Sequence, residues 1–174
     1  MPTPIIQVRY ATASDNILLA EFGAQTFSDT FAINNSPENM AEYLLAAFNP
    51  EQQARELADS TVKFVIAEID GTTIGYAKLR FRRAPHEVIA AKPMEIARFY
   101  ARKESIGKGV GAQLMQACLD EAKQNHCDVV WLDVWERNRR AIAFYRKWEF
   151  EQVGTQAFQL GDDLQHDWLM ARKV

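Results

Sequence analysis

Three glycines at alternate positions, in Gly107-Lys108-Gly109-Val110-Gly111, stand directly before the strongest helical pattern of the chain. Glycine lets successive N–H groups turn inward and lets a diphosphate approach with no side chain in the way. The helix N-terminus behind the turn adds unpaired donors and the positive end of its dipole. Arg102, Lys103 and Lys108 add charge at the rim. A loop that merely precedes an ordinary capped helix is the plain alternative. Two sharper alternatives fail on spacing: an ATPase-type phosphate loop needs a longer glycine-to-lysine interval and Ser or Thr where Gly109 stands, and a dinucleotide fingerprint needs its third glycine one place later and a strand immediately before it. Nucleotide binding without hydrolysis or hydride transfer is what the spacing leaves.

Other chemistry-bearing residues are dispersed. Cys118 and Cys127 lack Cys-x-x-Cys or Cys/His clustering and read as reduced structural thiols, so no metal is expected. His86, His126 and His166 show no pattern that marks a hydrolytic site. With 23 acidic and 20 basic residues, the formal charge of -3 gives no global field for a polyanion, and no nucleic-acid partner is expected. No stretch approaches about 18 uninterrupted apolar residues. The start Met1-Pro2-Thr3-Pro4 lacks the basic and apolar regions of a secretory signal. No membrane partner and a cytoplasmic location are therefore expected.

The elements that must position the glycine turn follow from period and punctuation. A strand over 5–10 leads to a helix capped by Thr12 or Ser14 and running to about Phe31. Ser36 and Pro37 open a second helix through Met40, Tyr43 and Leu44, and Asn49-Pro50 opens a third ending near Asp59. Phe22, Phe27 and Phe31 recur at helical spacing and read as core. Strands over 62–69 and 72–80 are joined by the hairpin pair Asp70-Gly71, a proline-containing loop follows over 82–93, and a run of imperfect alternation covers 94–101. The helix behind the glycines carries the stripe Val110, Leu114, Met115, Cys118, Leu119 and Ala122, and an apolar strand over 129–134 comes next. Strand, helix and strand in that order imply parallel neighbours with a crossover helix on one sheet face. Asn138 begins a shorter helix through Tyr145, and strands over 151–159 and 167–173 flank Gly161-Asp162-Asp163. The 174 residues suit one α/β domain spanning 1–174, with a central mixed, mostly antiparallel twisted sheet flanked by helices.

The stretch Ile106-Gly107-Lys108-Gly109-Val110-Gly111 resembles the Gln/Arg-x-x-Gly-x-Gly/Ala motif of the GNAT superfamily of acetyl-CoA-dependent N-acetyltransferases, with Ile106 in place of the polar first residue. Asn138-x-x-Ala141-x-x-Phe144-Tyr145, followed by Lys147, Trp148, Glu149 and Phe150, is similar to a second run of that family, with Glu149 at its usual glycine. Phe27-Ser28-Asp29-Thr30-Phe31, Ser36-Pro37-Glu38-Asn39-Met40, Ala47-Phe48-Asn49, Trp131-Leu132-Asp133-Val134-Trp135-Glu136 and Gly161-Asp162-Asp163 resemble features of the bacterial PaiA-type spermine/spermidine acetyltransferases. The likeness spans nearly the whole chain.

The resemblance implies a GNAT-like fold, acetyl-CoA as co-substrate, and acetyl transfer to a primary amine of a polyamine by direct attack in a ternary complex. It places Gly107, Lys108, Gly109, Val110 and Gly111 at the pyrophosphate, mainly through backbone N–H groups. Phe99 and Ala101 supply backbone contacts to the pantetheine arm, with the Phe99 N–H as oxyanion donor or Phe99 as ordinary strand packing. Tyr145 either protonates the departing thiolate or packs beneath the cofactor. Asn138 caps its helix, touches the cofactor arm, or both. Glu95 is either the base for the incoming ammonium or a solvated strand-end charge, in which case water carries the proton. Asp29, Glu42, Asp133 and Glu136 are candidates for the distal amines, with Trp135 as an apolar wall. The alternatives are N-acetylation of another small amine or of a protein amine, and a catalytically weak acyl-CoA-binding regulator. A homodimer is the default assembly.

Overall fold

The structure is a computed structural model in which residues 4–174 are described; Met1-Pro2-Thr3, which entered the reading of the chain start, lie outside them. Strands β1 (Gln7–Tyr10), β2 (Val62–Ile69), β3 (Thr72–Arg80) and β4 (Pro93–Ala101) pair antiparallel in succession. β5 (Val129–Trp135) lies parallel to β4 and is followed by the hairpin β6 (Glu151–Leu160) and β7 (Asp163–Lys173), of which β7 pairs with β5. One mixed, mostly antiparallel sheet results, in the order β1-β2-β3-β4-β5-β7-β6. The β2–β3 turn is tight because Asp70 and Gly71 both take positive φ, 49° and 75°, which matches the twist of the flanking strands.

Helices α1 (Asn16–Phe31), α2 (Pro37–Ala47) and α3 (Pro50–Ala58) pack on one face, while α4 (Val110–Gln124) and α5 (Arg139–Lys147) pack on the other. Their starts follow the expected chemistry. The Ser36 hydroxyl accepts from the Asn39 N–H at 3.1 Å and the Asn49 side chain from the Gln52 N–H at 2.8 Å, with Pro37 and Pro50 at first helical positions where no N–H is missed. At α1 the first turn is a 3₁₀ turn, Ala13–Asp15, entered from Thr12, so the α-helix begins at Asn16. The apolar stripe of α4 is wholly buried against β3, β4 and β5 and includes the free thiol of Cys118. The α4 crossover between parallel β4 and β5 is the arrangement expected from the chain order.

Two irregularities of β4 shape the surface on which ligands can bind. Its pairing with β3 shifts at Lys78 and Leu79, which oppose Arg98 and Ile96, so Ala97 is an extra residue in a β-bulge. Before it Met94 and Ile96 face α4; after it Phe99 and Ala101 do, and Arg98 and Tyr100 turn to the α1–α3 face. The imperfect alternation of this run is therefore a change of phase. The other irregularity is that β4 and β5 pair only at Pro93 with Val129, Met94 with Val130 and Glu95 with Trp131.

Candidate active site

Beyond Glu95 and Trp131 the two strands part, β4 staying with β3 and β5 with β7, and a cleft of about 670 Å³ opens between them. One edge of β4 is left without a strand partner there. The Arg102 N–H donates to the Ile74 carbonyl at 2.9 Å, so by the alternation of the ladder Tyr100 and Arg98 also direct their backbone groups toward β3. Phe99 and Ala101 direct theirs into the cleft. Their side chains meanwhile pack on the α4–α5 core, with Phe99 against Phe144 and Tyr145 at ring distances of 5.6 and 6.1 Å.

At one end of the cleft lies the glycine turn. Gly107 and Gly109 adopt φ of 81° and 88°, conformations that a side chain resists. Gln113 is the first residue of α4 whose N–H finds a carbonyl, that of Gly109 at 3.1 Å; the N–H groups of Val110, Gly111 and Ala112 are the helix's free donors. Gly111 is glycine for a different reason: a Cβ there would stand 3.1 Å from Cε2 of Phe144, where α4 and α5 meet. Gly107, Gly109 and Gly111 line the cleft, whereas Lys108 does not, and its N–H is already used by the Ser105 carbonyl at 3.2 Å. Val110 turns its side chain into the core. Ile106 lines the cleft with an apolar side chain. Free helix donors and uncrowded backbone fit a diphosphate.

Between the two ends stands Tyr145 of α5. That helix is capped by Asn138, whose side chain accepts from the Ala141 N–H at 3.2 Å while also lining the cleft. The Tyr145 ring is buried among Phe99, Phe144 and Phe150, and its hydroxyl has no hydrogen-bond partner among the described residues. Burial, reinforced by the charge of Asp133, pushes its phenol well above the usual range, so it holds a proton at any physiological pH.

The other end is aromatic with a few charges. Phe27, Phe31 and Tyr43 come from α1 and α2, Trp135 from β5 and Phe158 from β6. Phe22, beside Tyr76, and Phe27 are buried in the core as expected; Phe27 also lines the cleft with Phe31, which is only partly buried, where the sheet opens as β4 leaves β5. Glu95 is buried and lines the cleft, which corrects its reading as a solvated charge. Burial raises its carboxyl pKa, partly offset by Arg80, whose Nε lies 3.0 Å from it as an ion pair without hydrogen-bond alignment. Arg98 is bound to Glu56 at 2.9 Å. Asp133 and Trp135 line the cleft, but Asp29 bonds to Gln25 at 2.8 Å and opens on a shallow neighbouring pocket beside Lys103 and Arg137. Glu42 and Glu136 are exposed and line neither, being on outward positions next to Tyr43 and Trp135.

Asp167 is the cleft residue that reading the sequence missed. It lies on β7 opposite Trp135, one diagonal step from Asp133, whose nearby carboxyl adds to burial in raising its pKa. A signal was present: Gln165, Asp167 and Leu169 alternate as the inward face of a strand, and an acid in that phase is out of place in a core.

A model of the Acetyltransferase (GNAT) family matches residues 25–150, more than half of the chain. The chain belongs to that family. It is accordingly an acetyl-CoA-dependent acyltransferase. An uncharacterized N-acetyltransferase of Lactobacillus delbrueckii subsp. lactis is 35% identical over 150 residues, covering 86% of this chain and 87% of that protein. One from Mycobacterium tuberculosis is 31% identical over 156 residues, covering 90% and 96%. The N-alpha-acetyltransferase RimI of the same organism is 34% identical over 110 residues, covering 63% of this chain and 61% of that protein. In fold the chain is similar to the PaiA N-acetyltransferase of Thermoplasma acidophilum, solved in complex with coenzyme A, at a TM-score of 0.76 and 21% identity over 98% of this chain and 99% of that one. Among the described residues no helix is long and apolar enough to cross a membrane.

Proposed function

We propose that the GNAT chain transfers the acetyl group of acetyl-CoA to a primary amine by direct attack in a ternary complex. The observation that carries this is a buried Tyr145 hydroxyl in a cleft that joins free helix donors at residues 110–112 to a carboxylate-bearing pocket. The N–H groups of Val110, Gly111 and Ala112 hold the pyrophosphate, and the cleft edge of β4 at Phe99 and Ala101 pairs with the pantetheine arm. In this arrangement the Phe99 N–H meets the thioester oxygen as negative charge develops on it. Tyr145 gives its proton to the departing sulfur. Cys118 and Cys127 are buried and absent from the cleft lining, which supports attack by the amine itself rather than through an acyl-thiol.

The polyamine acceptor implied by the PaiA-type resemblance is supported by Asp133 and Trp135 in the cleft, and by the PaiA likeness in fold. It is weakened by the outward placement of Asp29, Glu42 and Glu136. A relative named N-alpha-acetyltransferase points instead to an α-amine. What these acceptors share is a primary amine. Release of CoA from acetyl-CoA, followed with a panel of primary amines, tests the activity. Tight acetyl-CoA binding with no amine-dependent release would defeat it.

A further inference from the structure

We propose that the acceptor is a small primary amine carrying one positive charge on an apolar body, its ammonium seated against Asp167 and Asp133; this rests on the amine acetyltransferase function. Asp167 is 6% exposed, lines the cleft, and has a buried Oδ1 with no partner. A buried carboxylate oxygen left unpaired is costly in the empty cleft and is satisfied by a donor placed there. Asp133 stands one diagonal step away across the β5–β7 pairing and lines the same cleft, and carboxyl groups so placed resist ionising together. The pair therefore presents one net negative charge to one ammonium.

Among the described residues lining the cleft, no further unpaired acid awaits a second ammonium. Glu95 is matched by Arg80 at 3.0 Å, and Glu56 by Arg98 and Lys78 at 2.9 Å. Arg80 and Arg98 also line the cleft, so a second ammonium there would face guanidinium groups whose acids are already paired. The remaining wall is aromatic: Phe27 lies 4.5 Å from Phe31 and 4.6 Å from Tyr43, Phe31 meets Trp135 at 6.0 Å, and Tyr43 meets Phe158 at 5.7 Å. Such a surface suits a ring or a compact hydrocarbon. The β6–β7 hairpin is also fastened to α2 and its approach. Asn39 donates to Asp162 and Gln165 to Asn35, both at 2.7 Å, and a Cβ on Gly161 would fall 2.1 Å from Oδ1 of Asn39. This contact holds the hairpin against α2 beside the aromatic end of the cleft.

The chemistry balances with groups in place. The ammonium gives one proton to the carboxylate pair, which passes it to solvent. Burial, then the closeness and charge of Asp133 and the charge of Glu136, push the Asp167 carboxyl up to about 7, so it accepts and returns a proton near neutral pH. The other titratable groups on the cleft around the pair are Glu95, Arg98 and Tyr100 from β4, Arg80 from β3, Tyr43 from α2 and Tyr145 from α5. The neutral nitrogen then attacks the thioester carbonyl; the C–N bond forms, the C–S bond breaks, and the sulfur takes the Tyr145 proton. The nitrogen's second proton leaves as the amide forms and restores the phenol through water. One proton is released per transfer.

The test compares CoA release with 2-phenylethylamine, spermidine and an alanine-initiated peptide. The expected result is a kcat/KM for 2-phenylethylamine about 10-fold or more above both others. Asp167→Asn should lower that kcat/KM by about 100-fold and flatten its rise through neutral pH, with acetyl-CoA affinity unchanged. Asp133→Asn, at a half-exposed position, gives the same readout if Asp167→Asn does not fold. Preference for spermidine or the peptide, or unchanged kinetics in a folded variant, overturns the acceptor while leaving acetyl transfer standing. Acetyl-CoA binding without release by any amine overturns both.

Discussion

Tyr145 shows how burial selects a role for a side chain. A phenol packed among three aromatic rings cannot become a stable phenolate, yet it can donate briefly to a thiolate and recover. Tyr145→Phe keeps the ring and removes the proton. Its kcat should fall roughly 100-fold or more with acetyl-CoA affinity retained, measured by single turnover so that chemistry is observed. Asp167 shows the opposite pressure. Its folded carboxyl is raised from 3.8 to about 7, so the native state prefers the neutral form. The stability linked to that preference is fully present below about pH 4 and is lost as pH rises through about 7. Asp167→Asn should therefore gain thermal stability relative to the parent chain as pH climbs across that window, a trend seen by comparing melting temperatures in acid and in mild base. At this scale the sequence reveals identity but seldom orientation. Asp133 and Trp135 were legible because they sit in a recognisable run, whereas Asp167 becomes visible only when β7 is laid against β5.

Among the elements, the turns carry the sharpest constraints. Gly109 has open space around it, so only its φ of 88° resists a side chain. Gly109→Ala should cost about 1–2 kcal/mol in chemical denaturation and weaken acetyl-CoA binding, because the strained turn re-aims the first N–H groups of α4. Glu149 is the reverse case. It follows α5 with φ of 66°, at the position where the resembling family has glycine, and its 3.4 Å contact with Arg172 is largely exposed. Glu149→Gly should raise the melting temperature by a few degrees, on the order of 1 kcal/mol, without altering turnover. Most elements were legible because their start signals are local: Ser36-Pro37, Asn49-Pro50 and Asp70-Gly71 act through their own side chains or backbone. The bulge at Ala97 was not, since it depends on the register of β3, and a single strand records it only as broken alternation.

As a whole, the molecule is two sheet halves joined at three residue pairs, with the co-substrate expected to fill the gap between them. A ligand bound to the native state alone stabilises it by mass action. Acetyl-CoA at about 100 times its Kd should add about 2.7 kcal/mol and raise the melting temperature by roughly 5–10 °C, and a simple amine alone should do far less. The fold class was legible because strand, helix and strand order fix a parallel neighbour. The acceptor was not, because its walls come from α1, α2, β5, β6 and β7, distant in the chain and assembled only when the hairpin closes on α2.

The parting of β4 from β5 also leaves a timing signature in the backbone. The amides of Tyr100 and Arg98 are shielded by β3, while those of Phe99 and Ala101 face the gap. Along one strand, deuterium uptake should therefore alternate between slow and fast from each residue to the next. Acetyl-CoA should slow the fast pair selectively, turning an uneven exchange pattern into a uniform one and reporting occupancy without any turnover.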